Sequence, residues 1–487
     1  MGGYAPRWSA VSKRIADKSL TRFLAVAVPL ALIAVASLIP GGCSVLPLNP
    51  PSAEPFIMYR LTLADRRLSV LRVEAFVYGF GRSRLVLRAP RGETDTVFEP
   101  IRLSAASFSG AALDVREKDG AWHIETKNGD LAFSYDVVVT IEDRYSPDVR
   151  SMLTFLGEDR CRILGRDVFL VPEAPFASGV LVDVHLFSGG GLSSSAPAVG
   201  GRIVVPDTGE LPRTMAAAGA FRFLSREIGG VSVALAIGGA WSFGDEEFFD
   251  VLCRIVAEEL ALLGPPPRSR YLFVCDGNPV RGGARFDYYG IHYDGSMLLL
   301  LDPRIDRSAL MDAPMAIIAH EFFHNWNSET LAGADDAFQW FTEGATVYCS
   351  YRILERANVI SSGQRAAHRR TVAARYRANP YRERVAIGEA ANSDMGDKDM
   401  VNLLYDGGYL AAEALDERIR EDTNGAIGLI DVIRRLHERS GRTDIAGEAA
   451  LTAAVSDLGG ADISLFLHEL IRIPNPRVLA DRFSILE

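Results

Sequence analysis

His320-Glu321-Phe322-Phe323-His324 and, beyond the next 18 residues, Glu343 in Trp340-Phe341-Thr342-Glu343-Gly344-Ala345 decide how this chain is read. Asp312 can cap a helix that Pro314 opens, and side chains four apart on that helix share one face. The imidazoles of His320 and His324 can therefore reach a single metal ion, at about 2.0 to 2.1 Å if the ion is zinc. Glu321, beside the first imidazole, is then aimed at a water on the ion instead of at the ion. A catalytic zinc keeps three protein ligands and an open fourth position, so a third ligand is required. The spacing lets a second helix fold back beside the first, bringing the Glu343 carboxylate to the imidazoles. Ile317, Ile318, Phe322 and Phe323 read as packing residues of the same helix.

Outward from this stretch the pattern is mixed α/β upstream and helical downstream. Glu246 to Leu263 has apolar residues at helical spacing and is stopped by Pro265-Pro266-Pro267. Strands are expected over Arg270 to Cys275 and Ser296 to Leu301. Helices are expected over Gly408 to Arg420, Ile427 to Ser440 and Ile463 to Ile471. From about Tyr59 to Thr208 the runs Leu68 to Val77, Ser83 to Arg88, Val137 to Ile141 and Val180 to Leu186 favour β-branched and alternating residues. Asn128-Gly129-Asp130 and Ser188-Gly189-Gly190-Gly191 punctuate them as loops. The fold class is therefore α+β, with a β-sandwich-like N-terminal domain over 58–240 and a mixed α/β and helical domain over 241–487.

The chain has 487 residues, 48% of them apolar and 23% charged, which suits a multidomain globular protein. A net charge of −10 excludes the basic surface that nucleic-acid binding requires. Arg7, Lys13, Arg14, Lys18 and Arg22 precede an apolar run from Phe23 to Ile39, which reads as an export signal or membrane anchor over 1–43. Ile39-Pro40-Gly41-Gly42-Cys43 resembles a bacterial lipoprotein signal, so membrane association through this segment or a lipidated Cys43 is expected. A Pro-rich linker over 44–57 follows. Cys161, Cys253, Cys275 and Cys349 contain no CxxC pair and read as buried free thiols. His123 and His185 read as ordinary strand residues, and His368, His437 and His468 as surface residues of charged helices.

His320 to Asn327, HEFFHNWN, and Trp340 to Tyr348, WFTEGATVY, resemble the glycyl aminopeptidase family of gluzincin zinc metallopeptidases, relatives of the thermolysin and leukotriene-hydrolase groups. Asn325, Trp326 and Asn327 match the residues after the second histidine, and Gly344 matches the glycine after the glutamate. Leu404-Tyr405-Asp406-Gly407-Gly408 is similar to the family's tyrosine motif, with Gly407 where the family commonly has Lys. The resemblance implies a thermolysin-like catalytic domain and one Zn2+ per chain on His320, His324 and Glu343. It also implies Glu321 as general base toward a zinc-activated water, and a Tyr405 hydroxyl that stabilises the oxyanion.

The expectation is thus an exported zinc metallopeptidase acting on a peptide or protein. The alternative is a catalytically silent lipoprotein of peptidase fold that serves as a binding module, against which the complete ligand set argues. Aminopeptidase relatives carry a glutamate, in a Gly-rich strand before the histidines, that grips the free amine of the substrate. Here no glutamate occurs between Glu259 and Glu321, and His292 falls near the expected position. Tyr289, Gly290, His292 and Asp294 are the substrate-binding candidates, with Asp287 a further possible acid, and cleavage at a free N-terminus or within the chain remains open. Family members often continue into a PDZ domain. The 82 residues after Tyr405 are needed to complete the catalytic lobe, so that domain is expected to be lacking.

Overall fold

A computed structural model describes residues 55–67, 69–90, 100–139, 153–173, 176, 179–278, 288–327, 331, 338–392, 397–440 and 447–483. The expected export segment, Cys43, nearly all of the linker and Asp287 lie outside the described residues. No helix among the described residues is long and apolar enough to cross a membrane.

The first part of the chain forms strands because its apolar residues recur at every second position. In Val70–Tyr78 the residues Leu71, Val73, Ala75 and Val77 are all fully buried, the period at which side chains of a strand share one face. This strand pairs antiparallel with Phe56–Asp65 and Leu131–Val138 inside a seven-stranded sheet. Phe56–Asp65 also pairs in parallel with Val180–His185. Two four-stranded sheets accompany it, one centred on Arg84–Arg88 and Ala121–Glu125, the other on Met215–Gly219 and Arg160–Leu164. One apolar core joins residues of all three, giving the layered β architecture expected. Within it the Tyr59 and Tyr135 hydroxyls donate to the carbonyl oxygens of Leu170 and Val168 at 2.7 and 2.9 Å, so neither buried hydroxyl is left without a partner.

The boundary expected near residue 240 lies between strands of a single sheet. Arg222–Ile228 and Val231–Ile237 belong to a five-stranded sheet completed by Arg270–Gly277, Ser296–Leu301 and, at its edge, Tyr288–Tyr293. Val231–Ile237 pairs in parallel with Arg270–Gly277, and the helix Asp245–Leu263 makes the crossover between them. A helix signal near Asp245 marks this crossover, but its first strand precedes it. Alternate side chains of the sheet enter two cores. Tyr271, Phe273, Cys275 and Met297 face the helices, whereas Leu272, Val274, Tyr289 and Ile291 pack with Met215 and Phe221 on the other side. Both faces are covered, which explains the uninterrupted apolar runs.

The remaining chain is helical. Ala313–Phe323, Thr346–Arg356, Ser362–Ala378, Lys398–Asp422, Leu429–Arg439 and Ser464–Arg472 share the large core with the five-stranded sheet. Ser361 and Gln364 close a reciprocal capping box at the start of the third of these. His468 is exposed as expected, but His368 is stacked on Tyr351 with ring centroids 3.5 Å apart, and burial pushes it down to about 3. Cys161, Cys253, Cys275 and Cys349 are buried free thiols.

Glu259, on the crossover helix, is fully buried and neither carboxyl oxygen has a hydrogen-bond partner. Burial raises its pKa well above the ordinary range. A raised folded-state pKa contributes stability in full below the unfolded value and loses it as pH rises toward the folded one. Glu259→Gln is uncharged at every pH, so it should be more stable than the parent above pH 7, with the gap closing toward pH 4. Denaturant unfolding of both proteins across that range checks this; a gap independent of pH would refute it.

Candidate active site

The histidine helix Ala313–Phe323 begins with Pro314 in its first turn, as the sequence suggests, but Asp312 makes no side-chain capping bond. Burial instead raises the Asp312 carboxyl. His320 and Glu321 are fully buried in the last turn, and His324 follows directly with φ −61° and ψ −12°, which continues the helical path. The i, i+4 pair therefore meets as expected: the two Nε2 atoms are 3.0 Å apart, with the rings crossing at 89°.

Glu343 reaches them from Trp340–Ala345, a turn of π-helix that leads into Thr346–Arg356. Its Oε2 lies 3.3 Å from His320 Nε2 and 3.9 Å from His324 Nε2. Two ligands about 2.1 Å from a tetrahedral ion stand about 3.4 Å apart, so the three separations suit one zinc. Among the described residues this trio is the single group of His, Cys, Asp or Glu that could hold a metal ion. The chemistry of the donors agrees. His324 Nδ1 lies 3.0 Å from the Asn327 carbonyl oxygen, which can only accept, so Nδ1 carries the proton and Nε2 presents its lone pair.

The approach of the glutamate turn depends on glycine. A Cβ on Gly344 would stand 2.4 Å from the Cα of Gly408, and one on Gly408 would stand 2.6 Å from the Trp340 carbonyl oxygen. Gly344 and Gly408 thus bring the turn into backbone contact with the helix Lys398–Asp422. That helix carries Tyr405, whose hydroxyl donates to Glu343 Oε2 at 2.8 Å. The Tyr405 hydroxyl is therefore bonded to the carboxylate of the candidate trio. At Gly407 a Cβ would meet Ile387 at 2.9 Å and Tyr376 at 3.3 Å, which leaves no room for a long side chain. Asp406, next to Tyr405, anchors the helix through Arg375, with Nε 2.8 Å from Oδ2.

Electrostatics divide the buried acids. Burial, then the Glu343 charge, holds Glu321 well above the usual carboxyl range, and the main chain at His292 offsets this in part without reaching hydrogen-bond geometry. Burial acts upward on Glu343 too, but the charges of His324 and His320 and the bonds from His320 and Tyr405 bring it below its ordinary value. His320 is pushed down to about 4, chiefly by burial, against the pull of Glu343.

The substrate-binding candidates separate. Gly290 lies against the histidine helix, where a Cβ would meet Ile317 Cγ2 at 2.0 Å and Glu321 Cγ at 3.3 Å, so glycine is required for this close approach. His292, two residues along the same face, has its ring centroid 5.9 Å from that of His324. Its Nδ1 is 3.1 Å from the Tyr271 hydroxyl, and its pKa falls to about 3, first through burial and then through the His324 charge. Tyr289 points to the opposite face of the sheet and packs with Met215 and Phe221, so the structure does not bring it to the site. Asp294 is paired with Arg268, whose Nε is 3.0 Å from Oδ1, and it is held low despite burial. The sequence reading assigned no role to Tyr271, to the glycine crossing or to the side chain of Asn327. Each acts through a partner distant in sequence.

Residues 314–411, which span the three candidate ligands, Glu321 and Tyr405, match the M61 glycyl aminopeptidase family. No curated protein matches the chain. Among solved structures the chain resembles an aminopeptidase N family protein from Idiomarina loihiensis, with a TM-score of 0.69 and 18% identity over 86% of this chain and 76% of that one. It also resembles an M1 zinc metallopeptidase from Deinococcus radiodurans, with a TM-score of 0.51 and 15% identity over 86% and 94%. A substituted form of that enzyme bound to a Tyr-Ser-Ala substrate gives 0.50 and 14% over 87% and 95%. These likenesses establish the fold, and the matched segment bears out, over residues 314–411, the glycyl aminopeptidase resemblance that the sequence carries.

Gly344→Ala should separate the glutamate turn from the helix of Tyr405. The expected cost is about 1 to 3 kcal/mol of stability, together with weaker metal binding than in the parent. Denaturant unfolding and zinc titration measure the two effects, and an alanine accommodated without change in either would remove the crossing from this account.

Proposed function

We propose that this chain is an exported zinc metallopeptidase that hydrolyses peptide bonds, with one Zn2+ held by His320, His324 and Glu343. The observation that carries the proposal is the convergence of two imidazole Nε2 atoms and one carboxylate oxygen, beside a buried glutamate that belongs to the same helix but is turned away from the trio's hydrogen bonds. Held by His320, His324 and Glu343, a zinc ion would supply Lewis acidity toward the scissile carbonyl and the attacking water. Glu321 acts as the base that takes the proton from the attacking water, and it returns that proton to the leaving amine nitrogen. The Tyr405 hydroxyl, bonded to Glu343 Oε2 at 2.8 Å, would turn toward the carbonyl oxygen and donate to it as charge develops there.

Peptide as the substrate class is supported by the edge strand Tyr288–Tyr293, the last strand of its sheet. Gly290 brings this strand against Glu321, so an extended chain adding to the edge would pass the base. The Tyr-Ser-Ala peptide on the Deinococcus radiodurans relative supports the same class by likeness. Export, with a membrane anchor or a lipid on Cys43, rests on the basic and apolar pattern of residues 1–43.

Mass spectrometry of the purified protein should find one zinc per chain, lost in Glu343→Ala. In Glu321→Gln the zinc should stay while hydrolysis of a peptide library falls by about two or more orders of magnitude. Full activity in Glu321→Gln would sink the assignment of the base, and folded parent protein without zinc would sink the metallopeptidase mechanism.

A further inference from the structure

We infer that Asn327 is a positioning residue that sets the spacing of the metal ligands, because it holds His324 with its main chain and the Glu343 turn with its side chain. The inference rests on the zinc reading above. Its main-chain oxygen is the acceptor 3.0 Å from His324 Nδ1, which fixes the ring and its tautomer. Its side-chain Nδ2 donates twice, to the Phe341 carbonyl oxygen at 2.9 Å and to Thr346 Oγ1 at 2.9 Å. These two acceptors bracket Glu343 in sequence, so a single fully buried side chain grips the turn on both sides of the ligand.

The orientation of the amide is determined. The Phe341 oxygen can only accept, and the Thr346 hydroxyl donates to the Thr342 carbonyl oxygen at 2.7 Å, so both face the NH2 end. The cost falls on Asn327 Oδ1, which is buried without a hydrogen-bond partner. An orphaned acceptor is unfavourable and offsets part of what the two donated bonds contribute. What asparagine provides is a rigid tie between two segments that are joined in sequence only through residues 328–337. The turn it holds is π-helical, where the regular i to i+4 ladder is interrupted and outside contacts set the position of the carbonyls. Displacing Asn327 would shift His324 and Glu343 together relative to His320.

The test is zinc affinity, measured by competition with a chelator on the full chain, with the thermal midpoint recorded with and without zinc. Asn327→Asp keeps the shape and removes both donated bonds; it should weaken zinc binding about 10- to 100-fold and shrink the zinc-induced rise in midpoint. Thr346→Val removes one of the two acceptors and should weaken binding about three- to tenfold. A purely structural role would instead lower the midpoint equally with and without zinc and leave affinity unchanged, and that result in a folded Asn327→Asp would overturn the inference. If Asn327→Asp does not fold, Thr346→Val decides, and parental affinity there overturns it. Parent protein that binds no zinc would bring down the zinc reading itself, whereas parental binding with unaffected variants would bring down only the role of Asn327.

Discussion

Backbone contact between Gly344 and Gly408 is the constraint on which the site depends. Glu343 sits on a different element from the two histidines, and a carboxylate has a short reach. The glutamate turn must therefore lie close to both the histidine helix and the helix of Tyr405, and that proximity forbids a Cβ at the crossing. The same contact delivers the Tyr405 hydroxyl to Glu343 Oε2. Arg375 and Asp406 brace the tyrosine helix, so the closeness is held by a part-buried ion pair as well as by packing. Because interiors are close-packed, a displacement at the crossing would be transmitted to the ligands and not absorbed.

How much of this was legible in sequence follows from the range of each interaction. His320, Glu321 and His324 were legible because the helical period is local: it places the two histidines on one face and Glu321 beside the first of them. Glu343 was legible as a partner of suitable spacing, but the π turn that presents it was not, since nothing in WFTEGA departs from an ordinary helix signal. Tyr289 was grouped with Gly290, His292 and Asp294 because the stretch was matched to the family's Gly-rich strand by position, without separating its two faces. Once Tyr288–Tyr293 is a strand, period two sends Tyr289 and Ile291 to one face and Gly290 and His292 to the other. Near the boundary expected at residue 240, antiparallel strands read alike whichever sheet they join, and only the register of Val231–Ile237 on Arg270–Gly277 reveals that one sheet runs across it.

Three buried acids in the catalytic half illustrate how environment decides the state of a carboxyl. Glu259 has burial alone acting on it and is pushed up. Glu321 has burial and a neighbouring carboxylate, and it is pushed up as well. Glu343 is buried too, yet the imidazoles and the Tyr405 hydroxyl outweigh desolvation and keep it low. The carboxylate that faces the two histidines is thus the one whose surroundings favour negative charge, which is the requirement for a metal ligand.

On the proposed reading, the edge strand would recognise substrate differently from the family's amine-gripping glutamate, because no glutamate stands at His292. A glutamate at the position of His292 would present a negative charge to a substrate ammonium. His292 is instead neutral, pushed down to about 3 and held by the Tyr271 hydroxyl behind the strand. Asp294, two residues on, is committed to Arg268 and does not substitute for it. Neither residue therefore offers the strong, localised anion that makes a terminal amine worth more than an ordinary peptide nitrogen. If a peptide pairs along Tyr288–Tyr293 as proposed, its binding energy there would come from main-chain pairing and side-chain burial, both of which a chain interior supplies as well as a chain end.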